Sequence, residues 1–278
     1  MAINYASKYS SNVQEKFTEK AVSNAISNNN LDFSGVNAVT VYSVGTAPMN
    51  DYSMSGDSRY GTAAELQNTI QTLTMSNDRG FTFTIDRRNY TDSQMVMESG
   101  RALARQLEEI VIPEVEKYRF SKVLAATTPV TTAITSAYDS FLDGTTALAE
   151  KNVPLELLVA FITPAFYKMV KQDAGFIKSC DIAQNMLLKG QIGELDGVPL
   201  VLSTESILGE NVKFILAHRG ALEVAQKIED YKIHNNPPGI SGWLVEGRMY
   251  YDAWVLDKMK DAIYAHVVAS AKVSRTSK

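Results

Sequence analysis

Few residues in this chain combine the side chains and spacings that chemistry requires. His218, His234 and His266 are the three histidines. Each could ligate a metal or pass a proton near neutral pH. They stand well apart and none has a partner at HxxxH spacing, so structural or surface positions are expected for all three. The carboxylate pairs Glu108/Glu109 and Asp257/Asp261 could do acid–base work, but the first falls on the solvated flank of a helix and the second brackets a turn. Cys180 is alone, which excludes an internal disulfide and a cysteine-rich metal site and fits a reducing compartment. No GxxxxGK[ST] phosphate loop occurs, and no GxGxxG or GxSxG lies between a strand and a helix. No catalytic residue, cofactor or metal is expected. What remains is basic: Arg79, Arg87 and Arg88 flank the strand "FTFTID", with Arg101 and Arg105 four apart on the helix that follows. They read as charges guarding a sheet edge, as a subunit contact, or as a strip facing nucleic acid, readings that differ in salt response.

These residues sit in a chain of 278 residues, 45% of them hydrophobic, long enough for one large or two smaller cores. Lys and Arg number 27 against 31 Asp and Glu, a net charge of −4, so no global basic field favours nucleic acid. No stretch approaches the roughly 18–20 apolar residues of a membrane span, and the start "MAINYASKYSSNVQEKF" lacks a signal peptide's apolar run. A soluble protein made in the cytoplasm is expected.

The elements that position these residues follow from periodicity. Val13, Phe17, Ala21 and Ala25, broadened by Val22 and Ile26, make an amphipathic helix that the asparagines 28–30 end. "VNAVTVYSVG" is a strand by composition. Residues 46–80 form a polar, turn-rich excursion that closes in "FTFTID", which suggests a protruding β-loop or a small hairpin of its own. Next comes a rod, Asp92 or Ser93 capping a stripe through Val96, Gly100, Leu103, Leu107, Ile110 or Val111 and Glu114 to Tyr118. At 1.5 Å per residue it is about 40 Å long, with a kink or a fresh start at Pro113. Gly100 hints at close backbone packing. Residues 121–235 alternate a helix at "TAITSAYDSFLDG", the strand "LLVAFITP", a helix "PAFYKMVKQ", the pair "GQIGELDGVPLVLS", the strand "KFILAHRG" and a helix "GALEVAQKIED". "WLVEGRMYYDAWVLD" and "AIYAHVV" read as two adjoining strands, and the tail "SRTSK" as frayed. The fold class is α+β.

The order of these pieces is more specific than any one of them. "LTMSNDRGFTFTIDRRNYTDSQ" followed by "ALARQLEEIVIPEVEKYRFSKV" resembles the major capsid proteins of tailed bacteriophages, which share the Hong Kong 97-type coat fold. Asp78, Arg79, Phe81, Phe83, Ile85 and Asp86 match the strand that returns from the family's extended loop. Ile112, Pro113, Glu114, Tyr118 and Arg119 match the end of its spine helix. Gly190, Ile192, Gly193, Leu195, Gly197, Val198 and Pro199 resemble a later turn and strand, and "GRMYYDAWVLDKMKDAIYAHV" its closing strand pair. The resemblance runs from about residue 36 to 268.

It implies an N-terminal arm at 1–35, a peripheral-domain strand at 36–49, an extended β-loop at 50–85 and a long spine helix at 86–120. An axial domain at 121–235 and peripheral closing strands with a tail at 236–278 complete the scheme. The implied function is a structural, non-enzymatic subunit that self-assembles through pentamers and hexamers into an icosahedral head enclosing double-stranded DNA, without sequence-specific binding. Portal and head-completion proteins are implied partners, and the capsid is built in the host cytoplasm without a membrane. Some relatives carry a long scaffolding segment ahead of the arm; with residues 1–35 alone before the first strand, a separate scaffolding protein or none is expected. Residues 86–120 carry six basic and seven acidic side chains, so a mixed or acidic inner wall, not a basic one, is expected to face the genome. Another phage structural protein, a tail or head-decoration subunit, is the alternative and predicts tubes or trimers. Subunit contacts are expected at Tyr52, Arg59, Tyr60, Leu66, Ile70, Leu73, Arg79, Arg87 and Arg88.

Overall fold

The structure, a computed structural model, describes residues 21–31, 33, 37–63, 65–92, 99–173 and 193–268. Val13 and Phe17 of the expected first helix, the Ser93 cap, Val96, Cys180, Gly190, Ile192 and the "SRTSK" tail lie outside those residues.

Helices and sheets segregate as an α+β fold. One sheet has four strands in the order β1 (Ser27–Asn28), β9 (Leu222–Asn235), β10 (Gly242–Trp254) and β4 (Asn77–Asp86). A second has five, β11 (Ile263–Val267), β8 (Val212–His218), β5 (Leu158–Ile162), β7 (Val198–Leu202) and β6 (Glu194–Leu195). A separate hairpin pairs β2 (Ala38–Val44) with β3 (Asn68–Thr74). After a short helix, α1 (Arg87–Asp92), the rod runs through α2 (Ser99–Gln106), a π turn (Leu107–Val111) and α3 (Ile112–Ala126). Two helices, α4 (Ala137–Glu150) and α5 (Pro164–Gln172), cover the five-stranded sheet, and a short α6 (Glu205–Leu208) precedes β8.

The rod holds both sheets because its apolar stripe never leaves them. Leu103 and Leu107 pack on Tyr231, Val245, Phe81 and Phe83. Ile112 and Val115 pack on Met249 and Tyr251. Phe120 and Val123 reach the space between the sheets, against Phe161, Ile215, Leu222 and Ala253. Burying a side chain the size of Phe120 contributes about 2–3 kcal/mol. Leu107 and Ile112 are five apart where a helix would ask for four, and the π turn absorbs the extra residue. It also frees Pro113, which sits in the first turn of α3, from the donor it lacks and from its clash with the preceding turn. All five residues of β5 are buried, Phe161 toward the rod, Ala160 and Ile162 toward α4 and α5. Gly144 lets α4 approach: a Cβ there would stand 2.8 Å from Leu216.

Several expectations are corrected. "GALEVAQKIED" is not a helix but the first part of β9, because pairing along β10 outweighs helix propensity. The two closing strands do not adjoin: β10 lies in the four-stranded sheet and β11 pairs with β8. "VNAVTVYSVG" joins neither sheet and pairs instead with β3, so the projecting segment starts near residue 37 and ends near 76. The rod continues past residue 121 to Ala126, where Thr127 turns to extended backbone, and β9, which ends at Asn235, lies in the rod's sheet beside β10. The expected first helix ends as a 3-10 turn, Val22–Ala25, followed by β1. The helix at "TAITSAYDSFLDG" begins at Ala137 behind a Ser136 cap. Gly100 has no close backbone neighbour: a Cβ there would meet nothing within 4 Å. The turn in "ELDGVPLVL" stands as expected, Asp196 and Gly197 taking φ of 54° and 77° between β6 and β7.

Two buried polar nodes fix the frame. Asp252 accepts from the Tyr118 hydroxyl at 2.7 Å and from both the amide and hydroxyl of Ser76 at 2.8 Å, tying rod, β10 and the start of β4 together. Glu116 accepts from the amide and hydroxyl of Ser23 at 2.9 and 2.5 Å, while Arg119 donates to the Ser23 hydroxyl at 2.9 Å. The N-terminal segment is thereby held on the rod.

Candidate assembly surface

The groups that could have done chemistry are occupied elsewhere. His266 is buried, stacked on Phe214, with Nε2 2.9 Å from the Thr132 carbonyl. His218 accepts from the Gly220 amide, and His234 lies 3.1 Å from Glu246. Glu109 pairs with Arg105, Asp257 with Lys260 and Asp261 with Lys151. Among the described residues no three metal-ligating side chains gather. A cavity of about 390 Å³ between the π turn and β4–β10 is floored by Phe81, Val111, Tyr231 and Met249 and rimmed by the ion pairs Arg79–Glu114 and Arg248–Asp78, both 2.5 Å. Hydrogen bonding to Glu114 raises Arg79, and hydrogen bonding to Arg248 holds Asp78 below the usual carboxylate range. Nothing in the cavity supplies a nucleophile beside a base.

Most of the exposed large apolar side chains lie on the hairpin. β2 alternates exposed and half-buried residues along its length. Its inward face, Val39 and Val41 with Leu73 of β3, packs with Phe33, Met75, Ala225, Trp254 and Leu256. The base is clasped further by Lys258, which donates to the Val44 carbonyl at 3.0 Å, and by Gln71, whose side chain accepts from the Asp257 amide at 3.2 Å. The outward face carries Tyr42, 66% exposed, directly opposite Ile70, 60% exposed, with Val44 beside them. Beyond Gly45 and Gln67 the tip closes on itself: Ser53 donates to the Arg59 carbonyl, Gly61 to that of Ser58, and the Tyr52 and Tyr60 rings meet edge to face at 5.1 Å. Met49 and Met54 are almost fully exposed there.

Of the contact residues expected from sequence, Tyr52, Arg59, Tyr60, Leu66 and Ile70 fall on this projection and are exposed. Leu73 is 2% exposed, held in the hairpin's own base. Arg79 is engaged by Glu114 of the same chain, and Arg87 donates to Asn236 at 2.9 Å. Arg88 lies exposed on α1, outside the projection. Tyr42, Val44, Met49 and Met54 were not anticipated. The alternation of "AVTVYSV" marks one face as apolar and outward-pointing residues as apolar too, a pattern that fits a ribbon covered on both faces.

No protein-family model and no curated protein matches the sequence. Solved structures do match the fold. A chain of Mycobacterium phage Che8 superposes with a TM-score of 0.73 at 17% identity, covering 89% of this chain and 91% of that one. A chain from the mature capsid of bacteriophage PhiM1 gives 0.69 at 10% identity, covering 91% and 88%. A chain of the virus-like particle from Pyrococcus furiosus gives 0.57 at 12% identity, covering 95% and 100%. This chain has the fold of phage capsid subunits.

Proposed function

We propose that this protein is the subunit of a closed protein shell, the head of a tailed bacteriophage, and that its role is structural. The observation that carries the reading is the match of most of this chain to most of a chain from a phage mature capsid and of one from a phage head. The surface agrees with it. An exposed apolar ribbon of this kind on a soluble monomer marks an interaction site. A two-stranded ribbon is marginal alone and gains stability by lying on a neighbour. Tyr42, Val44, Ile70, Tyr52, Tyr60, Leu66 and Arg59 are the residues proposed to make those contacts, repeated around closed rings so that modest contacts sum. Arg79, Arg87 and Arg88 have a lesser part in this reading, since two of them are bonded within the subunit.

In this reading the shell encloses double-stranded DNA that slides on a wall of mixed charge. It assembles on itself, with a scaffolding protein and with portal and head-completion proteins. A tail or decoration subunit is disfavoured because the matching chains come from capsid and virus-like particles. Negative-stain imaging and light scattering of the purified protein, alone and coexpressed with its genomic neighbours, test the reading. Closed particles of megadalton mass are expected; tubes, trimers or monomers under every condition overturn it.

A further inference from the structure

The four-stranded sheet has two edges of opposite character. Along β9, beyond the short reach of β1, stand Lys227 and Lys232, and the register with β10 shifts at Tyr250/Tyr251. Lysines and irregular register are the devices that prevent stray strand pairing. The β4 edge lacks both. From Gly80 to Ile85 it reads Gly-Phe-Thr-Phe-Thr-Ile, with no charge, no proline and no register shift against β10, its only strand partner among the described residues. Such an edge is a template for another strand.

The outward groups can be assigned. Arg87 donates its amide to Ser241, which sets the narrow pairs of the ladder at odd residues of β4. Asp78, Gly80, Thr82, Thr84 and Asp86 therefore turn their amides and carbonyls away from β10. The hairpin presents the complementary case. Gly45 donates to Gln67 and Met75 to Asn37, so odd residues of β3 bond β2, while Asn68, Ile70, Thr72 and Thr74 turn outward. The corresponding edge of β2 is approached by Lys258 at Val44, but no described side chain bonds the β3 edge. Neither strand of the hairpin carries a charged residue.

We infer that β3 of one subunit adds to the β4 edge of a neighbouring copy, so that the hairpin extends the neighbour's sheet across the subunit boundary. This rests on the shell reading and names the acceptor for its hairpin. The partner is a second copy because donor and acceptor are both present, both unguarded and matched in length, seven residues of β3 against the six-residue run of β4. One chain cannot satisfy both: a two-residue turn at Met75 and Ser76 would oppose the even residues of β3 to odd residues of β4, whose amides and carbonyls already bond β10. The contact is head-to-tail, of the sort that closes rings. Backbone pairing supplies its affinity, and Phe81 and Phe83, half-buried under the rod, gain cover.

Thr82→Pro tests it, removing an outward amide while leaving the ladder to β10 complete. Thr82→Val, which keeps the amide, is the control. Wild type must first form particles; if it does not, the shell reading fails and not this inference. Given particles, Thr82→Pro is expected to remain a folded subunit by circular dichroism with particle yield reduced at least tenfold, and Thr82→Val to assemble as wild type does. Undiminished assembly of Thr82→Pro overturns the inference. Should Thr82→Pro fail to fold, disulfide trapping decides. In a Cys180→Ser background, Thr72→Cys is combined in turn with Gly80→Cys, Thr82→Cys and Thr84→Cys, and oxidised particles are run on non-reducing gels. A ladder of linked subunits from at least one pair is expected; no ladder from any, or linkage of the β4 cysteine only to residues outside the hairpin, overturns it.

Discussion

Glu116 and Arg119 lie one turn apart on α3, their charged atoms 3.7 Å from each other and both buried, and the Ser23 hydroxyl is hydrogen-bonded to each. Burial raises the Glu116 carboxyl and lowers the Arg119 guanidinium, the expected response of charges taken out of water. Neither residue touches a candidate interface, and the network holds Ser23 and Asn24 on the rod.

Glu116→Ala is expected to destabilise the subunit by about 3–5 kcal/mol, because it removes the buried carboxylate that faces the Arg119 guanidinium and accepts from the Ser23 amide and hydroxyl. Glu116→Gln, which keeps an acceptor for the Ser23 amide, should lose less. Urea unfolding monitored by tryptophan fluorescence measures both; a loss below about 1 kcal/mol for Glu116→Ala would mean that the segment is held by Ala21 and Ile26 packing alone.

Alkaline pH should loosen the same frame. Burial is the first cause that raises Tyr118, Tyr251 and Tyr264 above the ordinary phenol value, with the Asp252 hydrogen bond adding to it for Tyr118. A group whose folded pKa is raised contributes stability that is fully present below its unfolded value, about 10 for tyrosine, and lost as pH rises through the folded one. The melting temperature should therefore decline above pH 10, and these three of the 13 tyrosines should gain phenolate absorbance late, together with unfolding. Uniform titration of all tyrosines near pH 10 in a still-folded protein would contradict the burial assigned to them.

The outward face of the hairpin should matter to assembly and not to folding. Tyr42 and Ile70 are cross-strand partners whose side chains touch no core cluster. Tyr42→Asp with Ile70→Asp is expected to leave the thermal midpoint within about two degrees of wild type, as for other exposed substitutions, and to reduce particle yield roughly tenfold or more. Sedimentation separates the two readouts. A large drop in midpoint would place this face in the subunit's own core.

How much of the fold was legible follows physical lines. The rod was, because the apolar stripe Leu103, Leu107, Val111 and Val115 keeps a helical spacing that fits no strand or loop, whereas its π turn was not anticipated. Locally encoded turns were legible too, as at Asp196-Gly197. β9 was not: Leu222 to Asp230 has helix-forming composition, and what makes β9 a strand is twelve residues of β10 paired beside it, which no window of sequence contains. The exposed surface of the hairpin was half legible. Its polar tip declared itself, but Leu73 and Ile70, three apart in one strand, have opposite fates decided by which side of the ribbon meets Phe33 and Met75.

The boundary of the projecting segment gives the most discriminating test of the fold. Gly45 and Gln67 are opposed, with the Gly45 amide 2.9 Å from the Gln67 carbonyl, so a two-residue Asn-Gly turn can join them with the register kept. Replacing residues 46–66 in this way removes Met49, Tyr52, Met54, Tyr60 and Leu66 but leaves Leu73 and Met75 in their cluster. The subunit should fold, with a thermal midpoint near wild type, and particle formation should be lost or confined to small oligomers. Replacing residues 51–79 instead takes away Leu73 and Met75, the Ser76 bonds to Asp252 and the first three residues of β4. Two buried side chains and a buried acceptor left unpaired amount to several kcal/mol, comparable with the whole stability of a domain. That longer deletion should yield insoluble or unfolded protein. Comparable folding of both variants would show that the hairpin base belongs to the projection and not to the core, and normal shells from the shorter deletion would show that the tip is not an assembly contact.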